Sequence, residues 1–379
     1  MIYLDYAAGA PLDPTVAERM ADVMAMGLGN PSSLHSAGRK ARGLIDEARE
    51  TLAKALGVDF AEVLFTSGGT EADNLAILGC MGAAPAGRDA LVVSAIEHHA
   101  VLGAAEQAER RGFRVTRMAP GPDGRVEPEA VAQALDESVA LVSVMHANNE
   151  TGAVMDVPAM AAAAHRVGAL CHTDAVQSFC CLPFLPARMG CDLASVSSHK
   201  IGGPPGVGAL TVRRGVRLRP ILHGGSQERG VRSGTEALHL IVGFGEAVRL
   251  AMERREDDAA LARACADRFE AAVRVGVPEV QRNGPAGRTR PGVVNLRFGG
   301  LDGAALVISL DMAGVAASTG AACSAGSPEP SHVLLAMGLD EDEARASVRF
   351  SFGRGVTEDQ ADRAASIVVE QVRRMRRGV

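Results

Sequence analysis

The chain has 379 residues, with 45 acidic against 39 basic side chains and a formal net charge of −6. With 3% aromatic residues and no tryptophan it has no stacking platform for single-stranded nucleic acid, and its mild acidity disfavours a phosphate-backbone ligand. Only three basic residues are lysines (Lys40, Lys54 and Lys200), so chemistry that needs a neutral amine has three candidates; arginine keeps its proton.

Seven cysteines (Cys80, Cys171, Cys180, Cys181, Cys191, Cys265, Cys323) form no C-x-x-C pair, which argues against a disulfide framework and a structural zinc site. Most are expected to be buried thiols in a reducing compartment, within an aliphatic, alanine-rich core. No apolar run reaches the roughly 18 residues of a membrane span, and no basic region precedes an apolar stretch at the N-terminus. A cytoplasmic protein without membrane or nucleic-acid partners is expected.

In chain order, the first clear element is an amphipathic helix over 41–56, with Ile45, Ala48, Leu52 and Leu56 on one face. Lys54 follows Glu50 by four residues on its polar side, and Lys40 stands at its start. Both read as solvated helix lysines, which leaves Lys200. Short apolar runs then predict strands at 62–66, 90–94, 113–118, 139–145, 169–173, 192–197 and 208–213. Helical spacing over 71–81, 100–111, 127–135 and 157–167 lies between them, the alternation of an α/β domain on a mainly parallel sheet. After about residue 250 come a charged helix (252–271), a strand-like VVNLRF, an apolar helix (303–313), a Gly/Ala/Ser-rich loop around Cys323 and a C-terminal helix (358–376), a smaller α+β unit.

Polar groups crowd the predicted strand ends, where open α/β sheets bind ligands. They are Thr66-Ser67-Gly68-Gly69-Thr70, Glu97-His98-His99, His146 to Glu150, His172 to Ser178, and Ser197-Ser198-His199-Lys200. Any one alone is more often an ordinary satisfied polar group. Together they suggest a ligand with a phosphate, a basic ring nitrogen and an aldehyde, as in pyridoxal 5'-phosphate (PLP). Lys200 would form the Schiff base, Asp174 would pair with the ring nitrogen, and Gly69, Thr70, Ser197 and His199 would hold the phosphate.

The motifs LDYAAGAPLDP, GNPSSLHSAGR, FTSGGTEADNLAI, EHHAV, HANNETG, HTDAVQS, SSHKIGGPPGVGAL, HGGSQERGVRSGT, STGAACSAGSPEPSHVL and SVRFSFGR run from residue 1 to about residue 365. In this order the set resembles the NifS/IscS-type cysteine desulfurases, class V members of the fold-type I PLP enzymes. The resemblance implies an α/β transferase with a seven-stranded, mainly parallel sheet. It places a large PLP-binding domain over 15–255 and a small domain made of 1–14 with 256–379.

It also implies site roles. Lys200 is the Schiff-base lysine; Asp174 and Gln177 hold the ring nitrogen and phenolic oxygen; His98 stacks on the ring and moves protons. Thr70, Ser197 and His199 bind phosphate, joined by Thr235 from the other subunit of a homodimer. Asn149 and Arg349 bind the substrate L-cysteine, Arg349 through its carboxylate. Cys323 carries the sulfur as a persulfide to an acceptor or iron–sulfur scaffold protein, for cluster or thio-cofactor synthesis. Pro204-Pro205, Ala8-Gly9-Ala10 and His99 depart from the family pattern of Pro-Lys, Ala-Thr-Thr and lysine. A selenocysteine lyase, another class V aminotransferase with no need of Cys323, and a non-catalytic scaffold on the same fold stay open at this point.

Overall fold

A computed structural model of the chain describes residues 1–285, 287, 289–320 and 329–378. The elements begin with β1 (Ile2–Tyr3), α1 (Pro14–Ala25) and α2 (Ser36–Leu56). Strand–helix alternation follows: β2 (Val63–Thr66), α3 (Gly69–Ala83), β3 (Ala90–Ser94), α4 (His99–Arg110), β4 (Arg114–Met118) and α5 (Pro128–Gln133). It continues through β5 (Val139–Ser143), α6 (Val157–Arg166), β6 (Leu170–Asp174), β7 (Leu193–Ser197) and β8 (Gly208–Val212) to α7 (Leu238–Gly276). The remainder is β9 (Gln281–Asn283), β10 (Val293–Arg297), α8 (Gly303–Met312), β11 (Val315–Ala316), α9 (His332–Ala336), α10 (Glu341–Arg345), β12 (Ser347–Ser351) and α11 (Glu358–Arg376).

The seven predicted strands pair in one sheet, in the order β2-β8-β7-β6-β5-β3-β4. β8 runs antiparallel to both neighbours and the remaining pairs are parallel. Successive side chains leave opposite faces of a strand. Val63 and Phe65 therefore join α2 and α7 in one core, while Leu64 joins α3 and α4 in another. Because β2, β3, β5, β6 and β7 point the same way, their carboxyl ends share one edge of the sheet.

Two local features differ from the sequence-based expectation. The charged helix expected over 252–271 is the second half of α7, a single helix of 39 residues. Its first half is apolar nearly all round (Ile241, Val242, Phe244, Val248), so it carries no amphipathic period, and Gly245 lets it approach α2. A Cβ on Gly245 would lie 2.9 Å from the Cβ of Ala48. The core is aliphatic only in part: Phe269, Phe350 and Phe352 pack with ring centroids 4.7 and 5.3 Å apart, in a cluster that also holds Phe298. That cluster lies under the second sheet, β12-β10-β9, and takes in Ile2 and Leu4 from the start of the chain. β1 is held there by parallel pairing with β11.

α7 thus reaches from the main sheet to the second sheet. The chain's first residues return across the carboxyl edge, where the site forms.

Candidate active site

A cavity of about 500 Å³ lies at that edge. Ten of the twelve site residues expected from the sequence line it: Gly69, Thr70, His98, Asn149, Asp174, Gln177, Ser197, His199, Lys200 and Arg349. Thr235 does not line it and is exposed. Cys323 lies outside the described residues. Gly320, at the boundary of those residues, lines the cavity.

Lys200 ends the short turn that follows β7. Its Nζ donates to the carbonyl oxygens of Ala7 and Ala8, each at 2.7 Å. The same N-terminal turn takes a hydrogen bond from Gln177 Nε2 to Ala7 O (2.8 Å) and gives one from Ala10 N–H to His199 O (2.9 Å). Sequence reasoning missed this clamp because backbone carbonyls carry no residue signature. Of the three lysines, Lys54 is exposed beside Glu50 at 3.4 Å and Lys40 is exposed, as expected.

His98 caps α4, its Nδ1 accepting the Ala100 N–H at 3.1 Å. That bond leaves Nε2 to carry the proton of the neutral ring. Burial first, then the charges of Lys200, His99 and His332, brings its pKa down to about 4. His199 falls to about 4 by burial and Lys200, and its Nδ1 lies 2.8 Å from Ser197 Oγ. Both imidazoles are therefore neutral at pH 7.

Asp174 ends β6 and its Oδ1 accepts the Val176 N–H at 2.8 Å. Burial pushes its carboxyl up to about 6, against that hydrogen bond and Lys200. Beneath it lies a buried polar layer that the sequence did not reveal. His172 sits between Ser143 Oγ (2.8 Å) and Ser195 Oγ (3.0 Å), and burial lowers its pKa to about 3. Burial also raises Asp73, which lines the cavity, well above the carboxylate range, and raises Glu97 to about 8. Glu97 is therefore mostly protonated at pH 7, and its Oε1 accepts the Met145 N–H at 2.8 Å, tying the segment after β3 to the segment after β5.

A raised carboxyl pKa contributes stability that is full below the unfolded value and is lost as pH rises through the folded one. Glu97→Gln, which has no proton to lose, is therefore expected to come closest to the wild-type melting temperature near pH 5 and to exceed it increasingly as pH rises to about 8. Thermal melts from pH 5 to 9 check this; a constant difference would refute it.

The first turn of α3 suits an anion. Gly68 caps it at φ 155° and ψ −179°, a region open essentially to glycine alone. A Cβ on Gly69 would come within 2.9 Å of Val176, so a side chain there would be forced against the wall. The leading N–H groups have no partner within a helix and carry its positive dipole end. Arg349, from β12, is buried; it donates to Asn149 O (2.9 Å) and Asp5 Oδ1 (2.8 Å), and its Nε has no partner among the described residues.

PLP fits these residues. Among the described residues the buried Gln177 Oε1 has no hydrogen-bond partner, Gly68 and Gly69 open α3 without side chains, and Asp174 lines the same cavity.

An α/β sheet with a lysine, an acid and imidazoles around a cavity at its carboxyl edge defines a ligand-binding α/β enzyme architecture. The aminotransferase class-V family model matches residues 2–364. The chain is 44% identical to the cysteine desulfurase IscS of Azotobacter vinelandii over 99% of this chain and 93% of that one. It is 43% identical to the putative cysteine desulfurase IscS 1 of Bacillus subtilis over 99% of both. A solved NifS-like protein superposes with a TM-score of 0.91 at 32% identity, over 97% of this chain and 98% of that one. A solved structure described as SspA in complex with cysteine gives 0.82 at 35% identity, over 93% and 99%. The chain therefore belongs to the class-V aminotransferase family and, within it, to the IscS/NifS-type cysteine desulfurases. That family membership implies PLP as cofactor.

Proposed function

We propose that the protein converts L-cysteine to L-alanine, leaving the sulfur as a persulfide on Cys323 for an acceptor protein that builds iron–sulfur clusters or thio-cofactors. The observation that carries this reading is the convergence of Lys200, Asp174, Gln177 and His98, from the ends of β7, β6 and β3, on one cavity. When bound, PLP supplies an electron sink for the substrate's α-carbon. Lys200 would anchor it, Asp174 would hold the ring nitrogen, Gln177 the phenolic oxygen, and Gly69, Thr70, Ser197 and His199 the phosphate.

The remaining work belongs to the chain's own groups. Arg349 would hold the substrate carboxylate in exchange for Asp5, with Asn149 beside it. Lys200, released by the incoming amine, would move the α-proton, and neutral His98 would exchange the proton of the substrate thiol at Nε2. Cys323 thiolate would attack the substrate sulfur; the sulfur–carbon bond breaks and its electron pair stays with the carbon, which is protonated to the methyl of alanine. Cysteine plus one enzyme thiol thus gives alanine plus one enzyme persulfide, with no outside oxidant. Exposed Thr235 supports a homodimer in which it reaches the neighbouring phosphate. The free thiols Cys80, Cys171, Cys180, Cys181, Cys191 and Cys265 support a reducing, cytoplasmic setting. We place the large domain at 15–255 and the small one at 1–14 with 256–379.

Cys323→Ser is expected to keep the visible band of bound PLP near 400 nm and to lose alanine and sulfide release from cysteine by about 100-fold or more. Full turnover in that variant would overturn the nucleophile assignment.

A further inference from the structure

Glu71 presents a difficulty for the phosphate cradle. It stands in the first turn of α3, lines the cavity, and would oppose a phosphate dianion at the same helix end. It is kept there by a local bond: Glu71 Oε2 accepts the Ser67 N–H at 2.8 Å, which shapes the Ser67–Thr70 loop. Arg232, far along the chain, meets it from the other side, with Nε 2.7 Å from Oε1 and Nη2 3.2 Å from Oε2. Both side chains are mostly buried, at 21% and 11% exposure, so the pair is screened only weakly by solvent. Burial pulls the Glu71 carboxyl up, but the hydrogen bonds from Arg232 and Ser67 outweigh it and leave it ionised.

Arg232 is itself held by a rigid mount. Glu228 and Arg229 take left-handed backbone conformations (φ 43° and 59°), uncommon for residues with side chains. Glu228 forms a buried two-point ion pair with Arg49 at 2.6 and 2.8 Å, and its Oε2 accepts the Phe65 N–H at 3.1 Å. Arg49 and Arg229 both donate to Val63 O, at 2.7 and 2.8 Å. This segment satisfies the free edge of β2, the strand that ends at the cradle. Three residues beyond Arg232 comes Thr235.

We infer that Arg232 is a positioning residue for the phosphate cradle: it offsets the charge of Glu71, so that Glu71 can shape the loop without repelling the phosphate. The inference rests on the PLP reading of the cavity. It assigns Arg232 an electrostatic role within its own subunit, separate from any contact made by Thr235.

The test is equilibrium binding to the apo-protein, followed by absorbance and tryptophan-independent calorimetry, with PLP and with phosphate-free pyridoxal as probes. Arg232→Ala is expected to weaken PLP binding by about 10- to 100-fold, the scale of one charge-assisted contact, while pyridoxal binding stays within about twofold. Arg232→Lys should keep most of the affinity, and the double variant Arg232→Ala/Glu71→Gln should recover it, because the amide still accepts the Ser67 N–H without charge. Arg232→Gln replaces Arg232→Ala if the latter fails to fold. Equal losses for PLP and pyridoxal, or no recovery in the double variant, would overturn the inference and make Arg232 a structural anchor only. Wild-type protein that takes up neither probe would overturn the PLP reading itself, and with it this role.

Discussion

Lys200→Ala is expected to lose cysteine turnover by about 10,000-fold or more, the upper end of what a single positioned base supplies, and to keep no PLP covalently attached after borohydride reduction. The structure makes this a test of chemistry more than of folding. Removing Nζ deletes two hydrogen bonds to Ala7 and Ala8, yet Ala7 O keeps its bond from Gln177 Nε2. A stability cost of about 1 kcal/mol follows for the carbonyl left without a donor, a few degrees or less in melting temperature. Lys200→Arg retains a cationic donor for the same carbonyls but no titratable amine. It should be as inactive as the alanine variant and more stable. Turnover in either variant above about 1% of wild type would mean that another group moves the α-proton.

Asp174→Asn should give opposite results for stability and activity. Burial lifts the Asp174 carboxyl from 3.8 to about 6, so its favourable contribution is full below the unfolded value and is lost as pH rises through the folded one. Without PLP the wild-type protein should therefore lose stability relative to Asp174→Asn between about pH 4 and pH 7, by about 3 kcal/mol at most. With PLP the order should reverse, because a protonated ring nitrogen offsets the charge that burial penalises. Turnover in the variant should fall about 100- to 1,000-fold, the usual loss for one preorganised electrostatic partner. Melts of both proteins with and without PLP, across that pH range, check the sign. A variant less stable than wild type in the absence of PLP would show that Asp174 is a structural carboxylate and not one held for a ligand.

Much of the fold was legible because the main sheet is built from strands that repeat one signal. Short runs such as VALVS and ALVVS are apolar on both faces, and the glycines and polar groups after them mark strand ends. The observed strands fall within one or two residues of the expected ones. What escaped was structure without a period or a side-chain mark. The first half of α7 is too uniformly apolar to read as amphipathic, and β9, β11 and α1 are short or weakly patterned.

The site divides in the same way. That Lys200 and Asp174 meet in one cavity was legible from residue type and position at strand ends, and that Gln177 and His98 join them from the family resemblance. The carbonyls of Ala7 and Ala8, the buried layer of Asp73, His172 and Glu97, and the Glu71–Arg232 pair were not. Each joins residues distant in sequence, and its meaning depends on burial that only packing supplies. Cys323 remains an assignment by resemblance.

The amino-acid sequence by itself determined the class of fold, the one lysine left after helix patterning and the family. The tertiary structure decided which groups are charged. Desolvation and facing partners, absent from any local pattern, raise the Asp73 and Glu97 carboxyls, keep Glu71 ionised against Arg232, and leave His98 a neutral ring that caps its helix through Nδ1 beside Lys200.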